Sequence, residues 1–446
     1  MRAKLYITKK DLYNELRFYN ERKKSMEDFK ALNINENIVE GLEKQGIVCP
    51  TFVQEKMYAP VLEGKDVIAV SKTGSGKTLA YLVPIFMRID ISLRSAQAII
   101  IAPTHELASQ IHKQAQLLSE NSGMDIRSAL IIGSAGMPRQ IEKLKEKPHI
   151  IIGSAGRIHD LIKRRKIAAH TVKTIVVDEA DRMLDDQNID ALKAVIKTTL
   201  KERNIVMASA SFGKKALERA KELAPEAVEI KEETAGKMPE SIKNCYIIAD
   251  KRKRVEEIRK IIHGEKAKKA LIFIDDPDEV ETICMKLNYH GIKAAGIYGL
   301  AGKEERKNAV NSFKEGRSQV LVATDIGARG LDIPDVTHVI NLDVSEEPVY
   351  YLHRAGRCGR QGKEGTVISI ISARQMKWIR LYEKTFGVKF EQKEMSFGKL
   401  KDIEDVKKNS VKKITFKEKK APVENKKTAK TVKKSSAGPK KNKGQK

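Results

Sequence analysis

The chain has 446 residues, more than the roughly 250–300 that one hydrophobic core sustains, so two domains with extensions are expected. Apolar residues make up 41%, enough for globular cores, yet the longest apolar stretches, such as Ala98–Ala102, are strand-sized, far below the roughly 18 residues that cross a bilayer; an integral membrane protein is excluded. The formal charge of +26 points to a polyanionic partner, most commonly nucleic acid.

Residues 1–25 (beginning MRAKLYITKK) are charged throughout and helical in pattern, with no apolar stretch of the kind a signal peptide needs. From Asp66 onward, short β-branched or apolar runs alternate with segments of helical length. Asp66–Val70, Ala98–Ala102, Leu130–Ile132, Ile150–Ile152, Thr174–Val177 and Ile205–Ala208 read as strands of a parallel sheet covered by helices. The stretch 231–241 (KEETAGKMPES) is polar, holds Gly and Pro, and reads as a linker. The alternation then restarts, with strands at Cys245–Ala249, Ala270–Ile274, Ala294–Tyr298, Gln319–Ala323, His338–Leu342 and Thr366–Ile371. The expected organisation is a first α/β domain over 26–230, a linker, a second over 242–397, and a disordered tail over 398–446. Residues 401–446 hold 17 Lys against five acidic residues and one aromatic, Phe416. Too little apolar surface exists there to offset the ordering entropy, and a non-specific phosphate-binding arm is the functional reading. Cys49, Cys245, Cys284 and Cys358 form no CxxC pair, so free thiols in a reducing cytoplasm are expected. Trp378 lies in a helical pattern with Met376, Ile379 and Tyr382 and reads as packing.

The first chemistry-bearing motif is Ser71-Lys72-Thr73-Gly74-Ser75-Gly76-Lys77-Thr78, which leaves a predicted strand and opens a predicted helix. Glycines let backbone N–H groups curl around phosphates, and the helix N-terminus adds its positive end. Lys77 is placed for the β- and γ-phosphates and Thr78 for Mg²⁺. Ser71 stands where the general pattern has Gly. The second motif, Asp178-Glu179-Ala180-Asp181, ends the apolar run Thr174–Val177. Asp178 is placed to hold Mg²⁺ through water and Glu179 to orient or deprotonate the attacking water.

Asp-Glu-Ala-Asp at 178–181 resembles the signature of the DEAD-box RNA helicases, and the resemblance runs from about Phe29 to about Ile371. It implies two tandem RecA-like domains, an RNA-stimulated ATPase and local opening of RNA duplexes. Gly46–Gln54 resembles the family's Q motif, which implies that Gln54 reads the adenine edge and Phe29 stacks on it. Pro103-Thr104-His105-Glu106-Leu107-Ala108 and Ser154-Ala155-Gly156-Arg157 resemble its RNA-phosphate segments, implying RNA contacts at Thr104, Gly156 and Arg157. Ser209-Ala210-Ser211 resembles the motif whose hydroxyls tie the acidic turn to the RNA side. In the second half, Ala270–Ile274 with Phe273 resembles motif IV. Ala323–Asp332 resembles motif V, implying Thr324 and Gly330 on RNA and Asp332 on the ATP ribose. His353–Arg360 resembles motif VI. There Arg357 and Arg360, three apart on a helical start, share a face and can stabilise the transferring phosphoryl group, and His353 and Arg354 would couple the domains.

The chain departs from the family pattern at Ile47, His105, Gly133-Ser134, Ser154-Ala155, Lys303 and Ser211, mostly on the RNA-facing side. The expectation is a monomeric bacterial enzyme that uses ATP and Mg²⁺, acts on RNA with little sequence preference, and works among ribonucleoprotein partners without a membrane. The alternatives are a DNA-acting helicase, which the Q motif and Asp-Glu-Ala-Asp disfavour, and an ATP-gated RNA clamp with little strand separation.

Overall fold

In a parallel sheet covered on both faces, each strand must be apolar on both sides, and the strands of this chain read AIII, IIIG and TIVVD. The computed structural model describes residues 29–402, apart from 73, 134–135, 234, 299–302, 329–332, 334, 360–362 and 397–398. The N-terminal segment 1–25 and the tail beyond 402 lie outside the described residues, as do the site candidates Thr73, Gly330, Asp332 and Arg360.

The first lobe holds seven strands: β1 Val67–Val70, β2 Ala98–Ile101, β3 Ser128–Ile131, β4 Ile150–Gly153, β5 Thr174–Asp178, β6 Asn204–Ser209 and β7 Val228–Lys231. They lie in the order β3-β4-β2-β5-β6-β1-β7, all parallel. Side chains alternate between two cores. Ile100, Ile152 and Val176 pack with Tyr81, Phe86 and Leu118 on one face, and Ile99, Ile151 and Val177 pack with Leu161 and Leu192 on the other.

The second lobe repeats the plan with β8 Ile242–Ile248, β9 Ala270–Phe273, β10 Ala294–Ile297, β11 Val320–Ala323, β12 His338–Asn341, β13 Gly365–Ile371, β14 Glu391–Ser396 and β15 Lys399–Asp402. The order is β10-β11-β9-β12-β13-β8-β14-β15, with β15 antiparallel to β14. The lobes are thus the two α/β units expected from the alternation, in the tandem arrangement that the resemblance implies.

Three strands lie outside that expectation. β7 (VEIK) and the hairpin β14–β15 (EQKEMS, KLKD) are mostly polar edge strands, so they carry no apolar signal. The hairpin corrects the tail boundary at 397/398: β15 belongs to the sheet, and Met395 and Leu400 pack on the second lobe's core. The segment read as a linker is also partly built in. Lys231 closes β7, Glu232 N donates to Val70 O at 2.9 Å, and Met238 is buried in the second lobe.

Gly153 ends β4 where a Cβ would sit 1.8 Å from Ile131 O, a backbone atom that cannot turn aside. Gly153→Ala should therefore lower the urea midpoint by the equivalent of about 1–3 kcal/mol. Gly156→Ala, three residues on and in open space, should change stability by less than about 0.5 kcal/mol. Equal midpoints for the two variants would contradict the close β3–β4 approach.

Candidate active site

Parallel strands deliver all their following loops to one edge, and the site stands at the C-terminal edge of the first sheet. After β1 the chain takes left-handed turns at Gly74 (φ 78°) and Gly76 (φ 86°), then enters the helix Lys77–Arg88. A side chain at Gly76 would strike Gln54 Nε2 at 2.5 Å, so the loop needs glycine there. Lys77 Nζ donates to Ser71 O at 2.6 Å and Lys72 O at 2.8 Å, holding the loop curled on itself. Burial lowers the Lys77 ammonium, and the carboxylates of Asp178, Glu179, Asp181 and Glu232 pull it back up. Ser75 Oγ is buried in the loop with no hydrogen-bond partner. An orphan hydroxyl, two left-handed glycines and a helix N-terminus together form a cradle that a triphosphate fits.

The hydroxyl of Ser71, fully buried, donates to Glu232, and Lys72 N donates to the same carboxylate at 3.3 Å. Glu232 therefore clamps the start of the phosphate loop from the end of β7. It was absent from the expected site because it lies in the polar stretch read as linker. Its only sequence signal is a carboxylate beside a strand too short and polar to recognise.

β5 ends at Asp178, and Glu179 follows in a left-handed conformation (φ 47°, ψ 51°) that a non-glycine residue rarely takes. This turn separates the two carboxylates. Burial raises the Asp178 carboxyl, while the Tyr81 hydroxyl, donating to Oδ2 at 2.8 Å, and Lys77 pull it down. Tyr81 is a further residue that the sequence reading missed. It sits in an apolar helix face, where a Tyr reads as core. Thr78 stands one residue past Lys77 on the same helix turn. No group of three His, Cys, Asp or Glu side chains capable of holding a metal exists among the described residues. One carboxylate with one hydroxyl suits Mg²⁺, which keeps waters and phosphate oxygens as its other ligands.

Gln54 caps the helix Phe52–Leu62 in a capping box with Thr51. Its Oε1 accepts from Thr51 N at 2.9 Å and its Nε2 donates to Gly76 O at 3.3 Å. One N–H and one lone pair of the amide remain for a base edge. Phe29 differs from expectation. It is 2% exposed, packed in the core with Ile38 and Met57, and offers no open face for an adenine to stack on.

The RNA candidates stand at helix N-termini. Thr104 Oγ1 caps the helix His105–Ser122 by accepting from Leu107 N at 3.2 Å, leaving its proton to donate. Gly156 lies in the first turn of Ala155–Lys163, open to solvent space, and Arg157 Nη2 donates to Gly133 O at 3.0 Å. Ala102 N donates to Gly153 O at 3.0 Å, which brings these two termini side by side. Thr324 Oγ1 accepts from Gly327 N at 3.0 Å in the second lobe.

The lobes meet at this edge. Arg182 Nη2 donates to His353 Nδ1 at 2.8 Å, which leaves the imidazole proton on Nε2, 3.7 Å from Asp181 Oδ2. The Ser209 hydroxyl donates to Asp181 Oδ1 in turn, and Ser211 N to Ser209 Oγ at 3.4 Å. Burial holds His353 well below the usual imidazole range, and Arg182, Arg357 and Lys77 add to the effect. Arg306 Nε reaches Glu106 Oε1 at 3.2 Å in a second crossing. Arg354 departs from the coupling role expected of it. Its guanidinium stays inside the second lobe, bonded to Asp325 (2.6 and 2.9 Å), Asp275 (2.8 Å) and the Asp343 carbonyl, over the ring of Phe273. Four of its five N–H donors are taken by acceptors of its own lobe, which holds the group there.

The family model described as DEAD/DEAH box helicase matches residues 51–220, and that described as helicase conserved C-terminal domain matches 253–362. The chain is 39% identical over 358 residues to the DEAD-box ATP-dependent RNA helicase CshC of Bacillus cereus, covering 80% of this chain and 90% of CshC. It is 38% identical over 369 residues to the probable ATP-dependent RNA helicase YfmL of Bacillus subtilis, covering 83% and 97%. Among solved structures, S. cerevisiae Dbp5 bound to RNA and ADP BeF3 superposes with a TM-score of 0.75 at 26% identity, covering 87% of this chain and 98% of Dbp5. A point variant of the same Dbp5, bound to Nup159, a Gle1 variant, IP6 and ADP, gives 0.57 at equal identity, covering 86% and 100%.

Burial pushes the Asp181 carboxyl up to about 6 from the ordinary 3.8. Between these values the folded chain keeps a proton that the unfolded chain has lost, so stability declines as pH rises through that window and levels above it. Asp181→Asn removes this dependence. The Tm difference, variant minus parent, should grow from about pH 4 to about pH 6 and then stay flat. A difference independent of pH would show that Asp181 ionises normally.

Proposed function

The chain belongs to the DEAD-box ATP-dependent RNA helicases, and we propose that its ATPase depends on the two lobes closing on RNA. It is an ATP-hydrolysing RNA helicase whose two lobes divide the work between them. The observation that carries the reading is a small cleft lined by Arg182 of the first lobe and by His353, Arg354 and Arg357 of the second. Cations from both lobes approach one buried imidazole, an arrangement that an anionic phosphate group would stabilise.

In this reading the backbone N–H groups of 74–78 and Lys77 bind the phosphates once the ammonium leaves the carbonyls of Ser71 and Lys72. Glu179, set off by its left-handed turn, orients the water and takes its proton. Arg357 faces the transferring group from the second lobe, and Arg360 would share that role. Mg²⁺, held by Thr78 and through water by Asp178, would neutralise charge on the β- and γ-oxygens. Gln54 ties the base pocket to the loop at Gly76, and Asp332 would meet the ribose.

RNA would lie across the helix N-termini at Thr104, Gly156 and Arg157, then Thr324 and Gly330, with contacts to the backbone rather than the bases. Contacts to ribose 2′-hydroxyls would favour RNA over DNA. Because Ser209, Asp181 and His353 join the acidic turn to the second lobe, RNA and ATP each favour the closed arrangement and each tightens the other. The four cysteines are free thiols, which suits a reducing cytoplasm. No helix among the described residues is long and apolar enough to cross a membrane.

Glu179→Gln should lower RNA-stimulated ATP hydrolysis by about 10²-fold or more while leaving ATP-dependent RNA binding intact. Hydrolysis surviving at the parent rate would remove Glu179 from the mechanism. The part-exposed Arg306–Glu106 pair tests closure separately. Arg306→Glu or Glu106→Arg alone should weaken RNA stimulation roughly two- to fivefold, the scale of about 0.5–1 kcal/mol for such an ion pair. The double reversal should recover most of the loss, and additive losses would show that the crossing has no part in closure.

A further inference from the structure

The cleft occupies the C-terminal edge of the first sheet, and the opposite edge carries a charge pattern that the helicase reading leaves unused. There the chain enters β4, β2, β5 and β6 side by side. Gln97 N donates to His149 O at 2.8 Å, Lys173 N to Gln97 O at 2.8 Å, and Asn204 N to Lys173 O at 3.0 Å. Neighbouring strands lie about 4.8 Å apart, so the segments leading into these four strands form one continuous surface. Segments 89–97, 145–149, 163–173 and 197–203 hold eleven Lys and Arg against three Asp and Glu.

Its centre is Lys163-Arg164-Arg165-Lys166, four successive exposed cations at the end of the helix Ala155–Lys163. Among the described residues none of the four has an acidic partner. Some other cations of this lobe do pair, Lys193 with Glu222 and Lys215 and Arg219 with Asp186. Arg165 takes a left-handed conformation (φ 55°) with its N–H donating to Ile162 O at 2.8 Å. Glycine suits such a helix-ending turn best, and here it carries a long cation at the tip instead. Lys147, Lys173 and Lys197, all exposed, extend the surface to either side. Ile91, Leu93 and Leu200 are exposed within it as side chains on loops, not as the continuous apolar helix face that enters a bilayer.

We propose that this edge is a second RNA surface, which holds the phosphate backbone of a folded or double-stranded segment flanking the strand in the cleft. The inference rests on the helicase reading for the nature of the polyanion. The two edges are a four-residue strand apart, about 13 Å plus loops, so only an RNA longer than the cleft can reach both. The surface would anchor the substrate while the cleft opens it, and phosphate contacts of this kind carry no base preference.

The test is the full chain carrying Lys163→Gln, Arg164→Gln, Arg165→Gln and Lys166→Gln together. ATPase stimulation by a single strand of about ten nucleotides should match the parent, which shows that fold and cleft are intact. Affinity for a hairpin RNA with a single-stranded extension should fall at least fivefold. The slope of log affinity against log salt should shrink by about two to four, the counterions released at the lost phosphate contacts. Parent-like affinity and slope on the hairpin would overturn the proposal, as would equal losses on the short strand. So would a variant that keeps hairpin binding but no longer binds anionic phospholipid vesicles that the parent binds. Failure of either RNA to stimulate the parent would bring down the helicase reading and this inference with it.

Discussion

A carboxylate taken out of water must find partners, and Asp181 finds them on two different lobes. It accepts from Ser209 beneath it and faces His353 across the gap, while Arg182 fixes the imidazole tautomer that makes this approach favourable. The cost of burial is visible in its raised carboxyl. Removing any partner strands a buried charge or donor, so the position of the second lobe is felt at the acidic turn two residues from Glu179. The geometry of hydrolysis and the geometry of RNA binding are joined there.

The halves of the site are each unfinished for the same reason. Parallel strands present their loops at one edge, and each lobe has one such edge. The first lobe supplies the phosphate loop and the carboxylates, with Lys77 occupied by its own loop's carbonyls and Ser75 Oγ unpartnered. The second supplies arginines, held in place by a network in which the buried Arg354 binds Asp325 and Asp275. Arg354 thereby organises the surface from which His353 and Arg357 reach the first lobe. Glu232, at the start of the interlobe segment, grips both Ser71 and Lys72, so the connection between lobes also touches the phosphate loop.

Of the twelve legible strands, ten lie inside the sheets, where strands buried on both faces must be largely apolar, and the edge strands β3 and β10 also carry short apolar runs. β7, β14 and β15 were not legible, since an edge strand can be polar and still complete its hydrogen bonds. Within the site, the phosphate loop and the acidic turn were readable because backbone curvature and charge demand particular residues in succession. Tyr81 and Glu232 were not readable, because each reaches its partner over a long sequence separation, 97 residues for Tyr81 to Asp178 and 161 for Ser71 to Glu232. Phe29 and Arg354 show the opposite error. Position in a motif implied a ligand or a partner lobe, and packing gave each a different neighbour.

By itself the sequence determined the strand-and-helix alternation, the two lobes, the glycine-dependent turn before Lys77 and the carboxylates ending β5. All of these follow from local periodicity, local backbone geometry or short-range order along the chain. The tertiary structure alone decided which side chains share a hydrogen bond across the lobes, which cations find an acidic partner, and which edge of the sheet carries the run Lys163–Lys166. These depend on distances between residues remote in sequence, and the distances exist only once burial has brought the strands into register.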